Sequence, residues 1–500
     1  MVNKLFSWDL YIINPLLIVI WLIVASYLFY KNSISKQKGL FYLEISSFWI
    51  VINFLIQIIT NYIDSPILKS FSSSTLTILL FLSSYFLYAT ILNPFALWLT
   101  LKLQSRRIWI WISLFSCFLS VMIAFLSNVN ITSIIFISLF LAVGISAQII
   151  YFLFFNEQFN ERLFPVFSSI KAGFVISFAT FISYEVYSLL NLNLISNHNS
   201  YTNWIIFSLS LICLIICLVV SIFVKERKIK VIKYKEDIVE QLQRYDYKVL
   251  IGLIIMSFLI TSVNVIIKSD IFELFLVSKL KQQSYTNLNV WNYLQSFRLS
   301  FVLGQLLLGY LFYKLVIKVI GIVKSISILT SLTMFGVILI TFIHNIYLLT
   351  IMMWVFGLFF FVMFYLWFGI ALMWDYRSTK VSVLSTFLTV TFLTLSIWYL
   401  VISICKVNNI GLFSIFKSVF EVINNTDLNK NYLFIKKITE VYYICCILIF
   451  CLLGIYLTTF IWTTNYIIAE YMDLKQIKLK MTSLAKSDIQ SKMITRLIRE

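Results

Sequence analysis

Apolar residues run in blocks of twenty or more along most of the chain, broken by short polar stretches. A helical block of that length matches the thickness of the bilayer's hydrocarbon core. The pattern predicts thirteen membrane-spanning helices, over residues 10–30, 40–61, 73–98, 108–127, 131–154, 163–190, 204–224, 248–268, 291–313, 323–343, 346–372, 381–405 and 441–465. The fold class is therefore an all-α polytopic membrane protein. The first block does not read as a cleavable signal: Lys4 and Asp9 precede it, it is too long, and no clear small-residue cleavage site accompanies it.

Composition points the same way. Of 500 residues, 61% are hydrophobic and 12% charged, where a soluble domain carries roughly a quarter charged. The net charge of +18 is not spread evenly. If the N-terminus is outside, the inside segments hold 27 of the 39 Lys and Arg, the outside segments hold 10, and Lys171 and Arg298 lie within spans. The positive-inside rule then places the N-terminus outside and the C-terminus in the cytoplasm of a plasma-membrane protein. The basic excess faces an anionic inner leaflet rather than nucleic acid.

The largest inside segment, "KERKIKVIKYKEDIVEQLQRYDYK" (225–248), holds eight of these basic residues. It divides the chain into an extra N-terminal helix and loop (1–39), a six-helix bundle (40–224), a basic linker (225–247), a second six-helix bundle (248–465) and a basic tail (466–500). The loop 406–440 contains "FSIFKSVFEVI", which reads equally as an interfacial amphipathic helix or as a plain loop. The tail reads either as a basic helix on the inner leaflet or as a solvated end.

Chemistry-bearing motifs are sparse. The seven cysteines sit in or at the ends of apolar runs, with no CxxC, so neither a disulfide framework nor a zinc site is expected. There is no P-loop, and no HExxH or GxSxG motif; His198 and His344 both fall in expected outside loops. No cofactor or metal is expected.

Six helices, a linker and six helices resemble the major facilitator superfamily, whose signature lies in the loop between the second and third helices of each half. There the C-terminal half carries "GYLFYKLVIK" (309–318), in which Gly309, Leu311, Lys314 and Lys318 follow the pattern. Tyr313 and Val316 stand where an acid and a second glycine belong. The N-terminal half carries "NPFALWLTLKLQSRR" (93–107), with Pro94 and the Arg106–Arg107 pair in place and the acid and glycines missing. The chain looks most like the divergent transporters of this superfamily found in mycoplasmas. The resemblance covers about residues 40–465. It implies 6+6 helix bundles working by alternating access, with Arg106, Arg107, Gly309, Lys314 and Lys318 in cytoplasmic gating loops.

Polar residues inside spans fall on single helix faces. Ser46, Asn53, Gln57 and Thr60 share one face of span 40–61; Ser257, Thr261, Asn264 and Lys268 share one face of span 248–268. The resemblance implies that these first helices of each half line a central cavity. Amides in spans either line such a cavity or join helices without a ligand, and Lys268, at the outer end of its span, can also snorkel. Gln295, Arg298 and Gln305 share a face of span 291–313. Arg298 either snorkels, forms a structural ion pair or meets an anionic substrate in the cavity; Lys171 either snorkels or lines the cavity. Two cations with no obvious buried carboxylate beside them favour an anionic or phosphorylated substrate, to which the planar fork of arginine is suited. The expected substrate-binding set is Asn53, Gln57, Lys171, Asn264, Gln295, Arg298 and Gln305.

The function expected is thus a secondary active or facilitative transporter of a small anionic solute, acting as a monomer and not as an enzyme. Its expected partners are a small-molecule substrate and the bilayer, without nucleic acid. The alternatives are a membrane-embedded enzyme or lipid-handling protein acting on anionic lipid intermediates, and a scaffold that recruits partners through its basic loop and tail.

Overall fold

A computed structural model describes residues 36–63, 84–126, 131–158, 165–194, 200–224, 226, 247–283, 285–375, 382–408, 419–424 and 432–467. The expected span 10–30, the start of the third span, the linker apart from Glu226 and Tyr247, residues 409–418 and 425–431 of the loop 406–440 and the tail from 468 onward lie outside these residues. Among the described residues there is no strand. Eleven stretches of helix among the described residues are long and apolar enough to cross a membrane. The protein is an all-α polytopic membrane protein.

Among the described residues six helices precede the linker: α1 (Lys36–Ile63), α2 (Tyr85–Lys102), α3 (Arg107–Leu126), α4 (Ile131–Gln158), α5 (Pro165–Leu194) and α6 (Ser200–Phe223). After it come α7 (Tyr247–Ile267), α8 (Asp270–Gln282) and α9 (Asn287–Leu303). The ninth helix runs on through two π-helical turns, Gly304–Leu308 and Tyr313–Ile317, with α10 (Gly309–Phe312) between them and α11 (Lys318–Ile320) beyond. The remaining described helices are α12 (Ile322–Phe342), α13 (Ile346–Asp375), α14 (Val383–Val407), the short α15 (Val419–Asn424) and α16 (Tyr432–Ile467).

Local chemistry sets the ends. Gly321, at φ +95°, turns α11 into α12 through a conformation that side chains disfavour. Thr286 caps α9 by accepting from the Asn289 N–H, and Ser382 caps α14 by accepting from the Ser385 N–H. The last carbonyls of α12 meet the Lys279 ammonium of α8, which donates to Ile340 O, to Thr341 O at 2.8 Å and to Ile343 O at 2.8 Å. A cation there complements the negative end of the helix dipole.

The sequence reading ended a span at 268, but helix resumes at once. α7 and α8 together form one apolar stretch of 36 residues, Tyr247–Gln282, broken at Lys268 and Ser269. Ser269 is extended, with ψ 153°, and its hydroxyl donates back to Ile266 O at 2.7 Å. An unbroken helix of that length would span about 54 Å, far beyond a hydrocarbon core of about 30 Å.

Helix pairing recurs along the chain. In the first six helices α1 packs on α4, α5 and α6, α2 on α4, α3 on α4 and α6, and α4 on α5. Replace α1 to α6 by α7, α9, α12, α13, α14 and α16, and each of those pairs has its counterpart, whereas the smaller contacts of α3 with α1 and α2, and of α5 with α6, do not recur at the same size. The contacts between the two sets exchange under the same replacement. α2 packs on α14 as α9 packs on α5, and α5 packs on α13 as α14 packs on α4. Backbones touch where glycines allow it. A Cβ on Gly304 would strike the Trp354 carbonyl, and one on Gly357 would strike the Phe301 carbonyl, so α9 and α13 meet without side chains between them.

Candidate functional site

Two depths of the contact between α5, α9 and α13 carry different chemistry. Toward the end where α5 begins and α13 finishes, the contact is dry and aromatic. Ser169 donates to Tyr365 O at 2.7 Å. A Cβ on Gly173 would lie 2.5 Å from the Tyr365 ring, and one on Gly369 would lie 2.5 Å from Val166 Cα. Phe152 of α4 packs on Phe368 at 4.3 Å between ring centres, Phe174 on Tyr310 at 5.9 Å, and Phe167 on Tyr313 at 5.8 Å.

A charged cluster lies beyond this plug, built on Arg106 and Arg107 of the expected gating loop. The Arg106 guanidinium is held by both Glu157 oxygens, at 3.2 and 3.0 Å, and by the Thr100 hydroxyl at 2.8 Å. Glu226, the second residue of the linker, accepts from the Arg106 N–H and the Ser105 hydroxyl, both at 2.6 Å. Arg107 pairs with Glu44 of α1, donates to Val224 O at 3.2 Å and covers the Phe154 ring at 4.5 Å. Asp375, at the end of α13, lies within electrostatic reach of Arg106 and Glu157. Both arginines are thus buried and neutralised by acids from α1, α4 and the linker. The second expected gating loop differs. Gly309 is a packing position against the Phe361 ring, Lys314 is half-buried, and Lys318 opens α11.

The opposite half of the contact is polar. Arg298 donates from Nε and Nη2 to the two oxygens of Glu273 on α8, each at 2.6 Å. Its side chain keeps 37% exposure and that of Glu273 13%, and Tyr184 of α5 lies within electrostatic reach of both. The sequence reading found no carboxylate for Arg298 because it placed Glu273 in an outside loop; α8 carries it back over α9. Lys171 is elsewhere. It is thirteen residues from Tyr184 on α5, roughly 20 Å along the axis, and its amine lies 4.1 Å over Phe167 of its own helix, beside the aromatic plug. The two cations do not share one depth.

The expected amides separate by their partners. Asn53 donates to Trp49 O at 2.8 Å and to Thr180 Oγ1 at 3.2 Å, clasping α1 to α5. Gln57 is one turn further along the same face, and both of its amide atoms are buried with no hydrogen-bond partner among the described residues. The Asn264 Oδ1 is likewise buried and unpartnered. Gln295 is half-buried, and Gln305 is buried within the first π-helical turn.

Lys268 differs from the other cations. Its amine lies 4.5 Å over Phe301 of α9 and 5.4 Å over Phe360 of α13. The amine has no hydrogen-bond or ion-pair partner among the described residues. Sequence position had put it at an outer span end; the continuation into α8 puts it at a mid-helix break.

No protein-family model and no curated protein matches the chain.

Proposed function

We propose that this protein is a secondary active or facilitative transporter that moves a small anionic or phosphorylated solute across the plasma membrane by alternating access. On this reading residues 40–224 and 248–465 are two six-helix halves of major-facilitator type, following an extra N-terminal helix, with the N-terminus outside. The observation that carries it is the recurrence of helix pairs: one replacement maps most of the pairs within the first set onto pairs within the second, those of α1 with α3, α2 with α3 and α5 with α6 excepted, and exchanges the contacts between the sets. Two related bundles meeting across a symmetric seam can rock about a site between them. A membrane enzyme has no need of that relation.

The seam supports a direction of opening. The aromatic plug and the Arg106–Glu157 cluster close the end assigned to the cytoplasm. The half-exposed polar residues Arg298 and Gln295 and the unpartnered amides of Gln57 and Asn264 lie toward the other end. Buried amides without partners are costly, and a bound solute offering hydroxyls or anionic oxygens satisfies them. Lys171, beside the plug, is placed to meet that solute once the cytoplasmic end opens.

The test is uptake by proteoliposomes of the purified full chain, using labelled sugar phosphates, dicarboxylates, amino acids, nucleosides and peptides. Saturable uptake of an anionic solute, accelerated by the same solute inside, is expected. Uptake of none of them, or only of uncharged solutes, overturns the reading.

A further inference from the structure

We propose that Lys268 is the group that receives the anionic oxygens, carboxylate or phosphate, of the transported solute, with Asn264 beside it. This deepens the carrier reading and rests on it for the ligand being cargo.

Three observations place the amine in an interior, wetted space. First, depth: α13 has thirty residues and Phe360 is the fifteenth, so the ring under the amine lies halfway along a membrane-crossing helix. Second, surroundings: the other ring, Phe301, is 3% exposed and belongs to the α9 face that packs inward. Third, access: the Lys268 residue is nonetheless exposed. An ammonium cannot present an exposed surface to hydrocarbon at that depth without large cost. The open side of Lys268 therefore looks into the space bounded by α7, α9 and α13.

Charge selects Lys268 over Arg298 as the receiving cation. The fork of Arg298 is filled by Glu273, so an incoming anion would have to displace a carboxylate held at 2.6 Å on both sides. Lys268 has no such competitor. Two ring faces support the ammonium from one side and leave its N–H donors for the other. Asn264 is four residues earlier on the same helix face, with a buried, unpartnered Oδ1, and an amide accepts from a solute hydroxyl as readily as it donates to an oxyanion. The helix break at Ser269 frees the backbone next to Lys268 from a continuous helical path, which lets the amine follow the solute when the halves move.

The test uses the purified full chain in phosphatidylcholine nanodiscs. Formaldehyde and cyanoborohydride methylate accessible amines, and mass spectrometry reads the extent at Lys268 in buffer containing inorganic phosphate, glucose 6-phosphate, succinate or glucose. We expect methylation without added anion, roughly tenfold protection by an anion, and none by glucose. Protection by the phosphates alone assigns a phosphorylated solute; protection by succinate alone assigns a carboxylate. A Lys268 that is never methylated, or methylated equally in every buffer, overturns the proposal. In tryptophan-fluorescence titrations with the protecting anion, Lys268→Gln should weaken binding roughly tenfold or more, and Lys268→Arg should keep most of it. Equal binding by Lys268→Gln also overturns the proposal, and if that variant fails to fold the protection pattern of the unaltered protein decides alone. The two readings fail separately. Protection of Lys268 with no anion carried into proteoliposomes removes the carrier and leaves the site. Equal uptake by the unaltered protein and by Lys268→Gln removes the site and leaves the carrier.

Discussion

Arg298 and Glu273 meet as a fork on a carboxylate, with both nitrogen–oxygen distances at 2.6 Å. The pair joins α8 to α9 across the polar half of the seam, within electrostatic reach of Tyr184 of α5. Two parallel charge-assisted bonds fix the angle between the helices as well as their distance.

Glu273→Gln should therefore leave a guanidinium without its counter-charge and loosen α8. The Arg298 side chain is 37% exposed, so water screens part of the loss. A cost of about 1–2 kcal/mol is expected, read as a lower thermal midpoint in detergent. The double variant Glu273→Gln with Arg298→Gln should recover most of it, because neither charge is then left alone. A double variant no more stable than the single one would show that the pair does not hold the helices.

Most spans were legible because the apolar runs are long and their polar breaks short. Their partners were not. The expected spans left residues 269–290 as a loop, yet 270–282 form α8, whose Glu273, Lys279 and Lys281 find partners inside the protein. Glu273 binds Arg298 and Lys279 binds the end of α12. Hydropathy counts a charge as polar whether or not it is neutralised, and neutralisation is a tertiary fact. The Arg106–Arg107 pair was legible as a basic loop, but its acids, Glu44 and Glu157, lie fifty or more positions earlier or later in the sequence. The two stripes holding Gln57 and Asn264 were visible from spacing alone, while the satisfaction of Asn53 by Thr180 needed the position of α5.

Glu157→Gln tests the latch built on Arg106. Arg106 and Glu157 are buried, with side-chain exposures of 4% and 7%, and removing one member of such a pair costs about 3 kcal/mol. The loss falls on the closed arrangement, which also holds the start of the linker through Glu226. An introduced Ala172→Cys, buried in α5 beside the plug, should become reactive to maleimide when Glu157→Gln is added. Unchanged labelling would mean that the latch does not hold the closed end.

Gly357→Leu tests the contact of α9 with α13. The added side chain would begin inside the Phe301 carbonyl, in backbone rather than in a flexible side chain. The helices must separate, and overpacking of this kind costs about 1–3 kcal/mol or more. Expression of folded protein, read by size-exclusion chromatography, should fall sharply. Gly454→Leu is the control, since nothing lies within 4 Å of a Cβ built there, and its profile should match that of the unaltered protein.

Lys279→Met separates the charge of the α8 lysine from its bulk. The ammonium donates to three carbonyls at the end of α12, which otherwise lack helical partners. Methionine keeps the apolar stem and removes every donor. Loss of one charged hydrogen-bonding group that serves several acceptors should cost about 1.5–3 kcal/mol. The damage should be local, since α12 frays from that end while the seam with α5 is untouched. Hydrogen exchange should accordingly rise over residues 336–342 and stay unchanged over residues 166–180. Lys279→Arg should restore protection in part, because a guanidinium still complements the helix dipole but cannot point three donors at one turn. Equal exchange in Lys279→Met and the unaltered protein would mean that water caps α12 as well as lysine does.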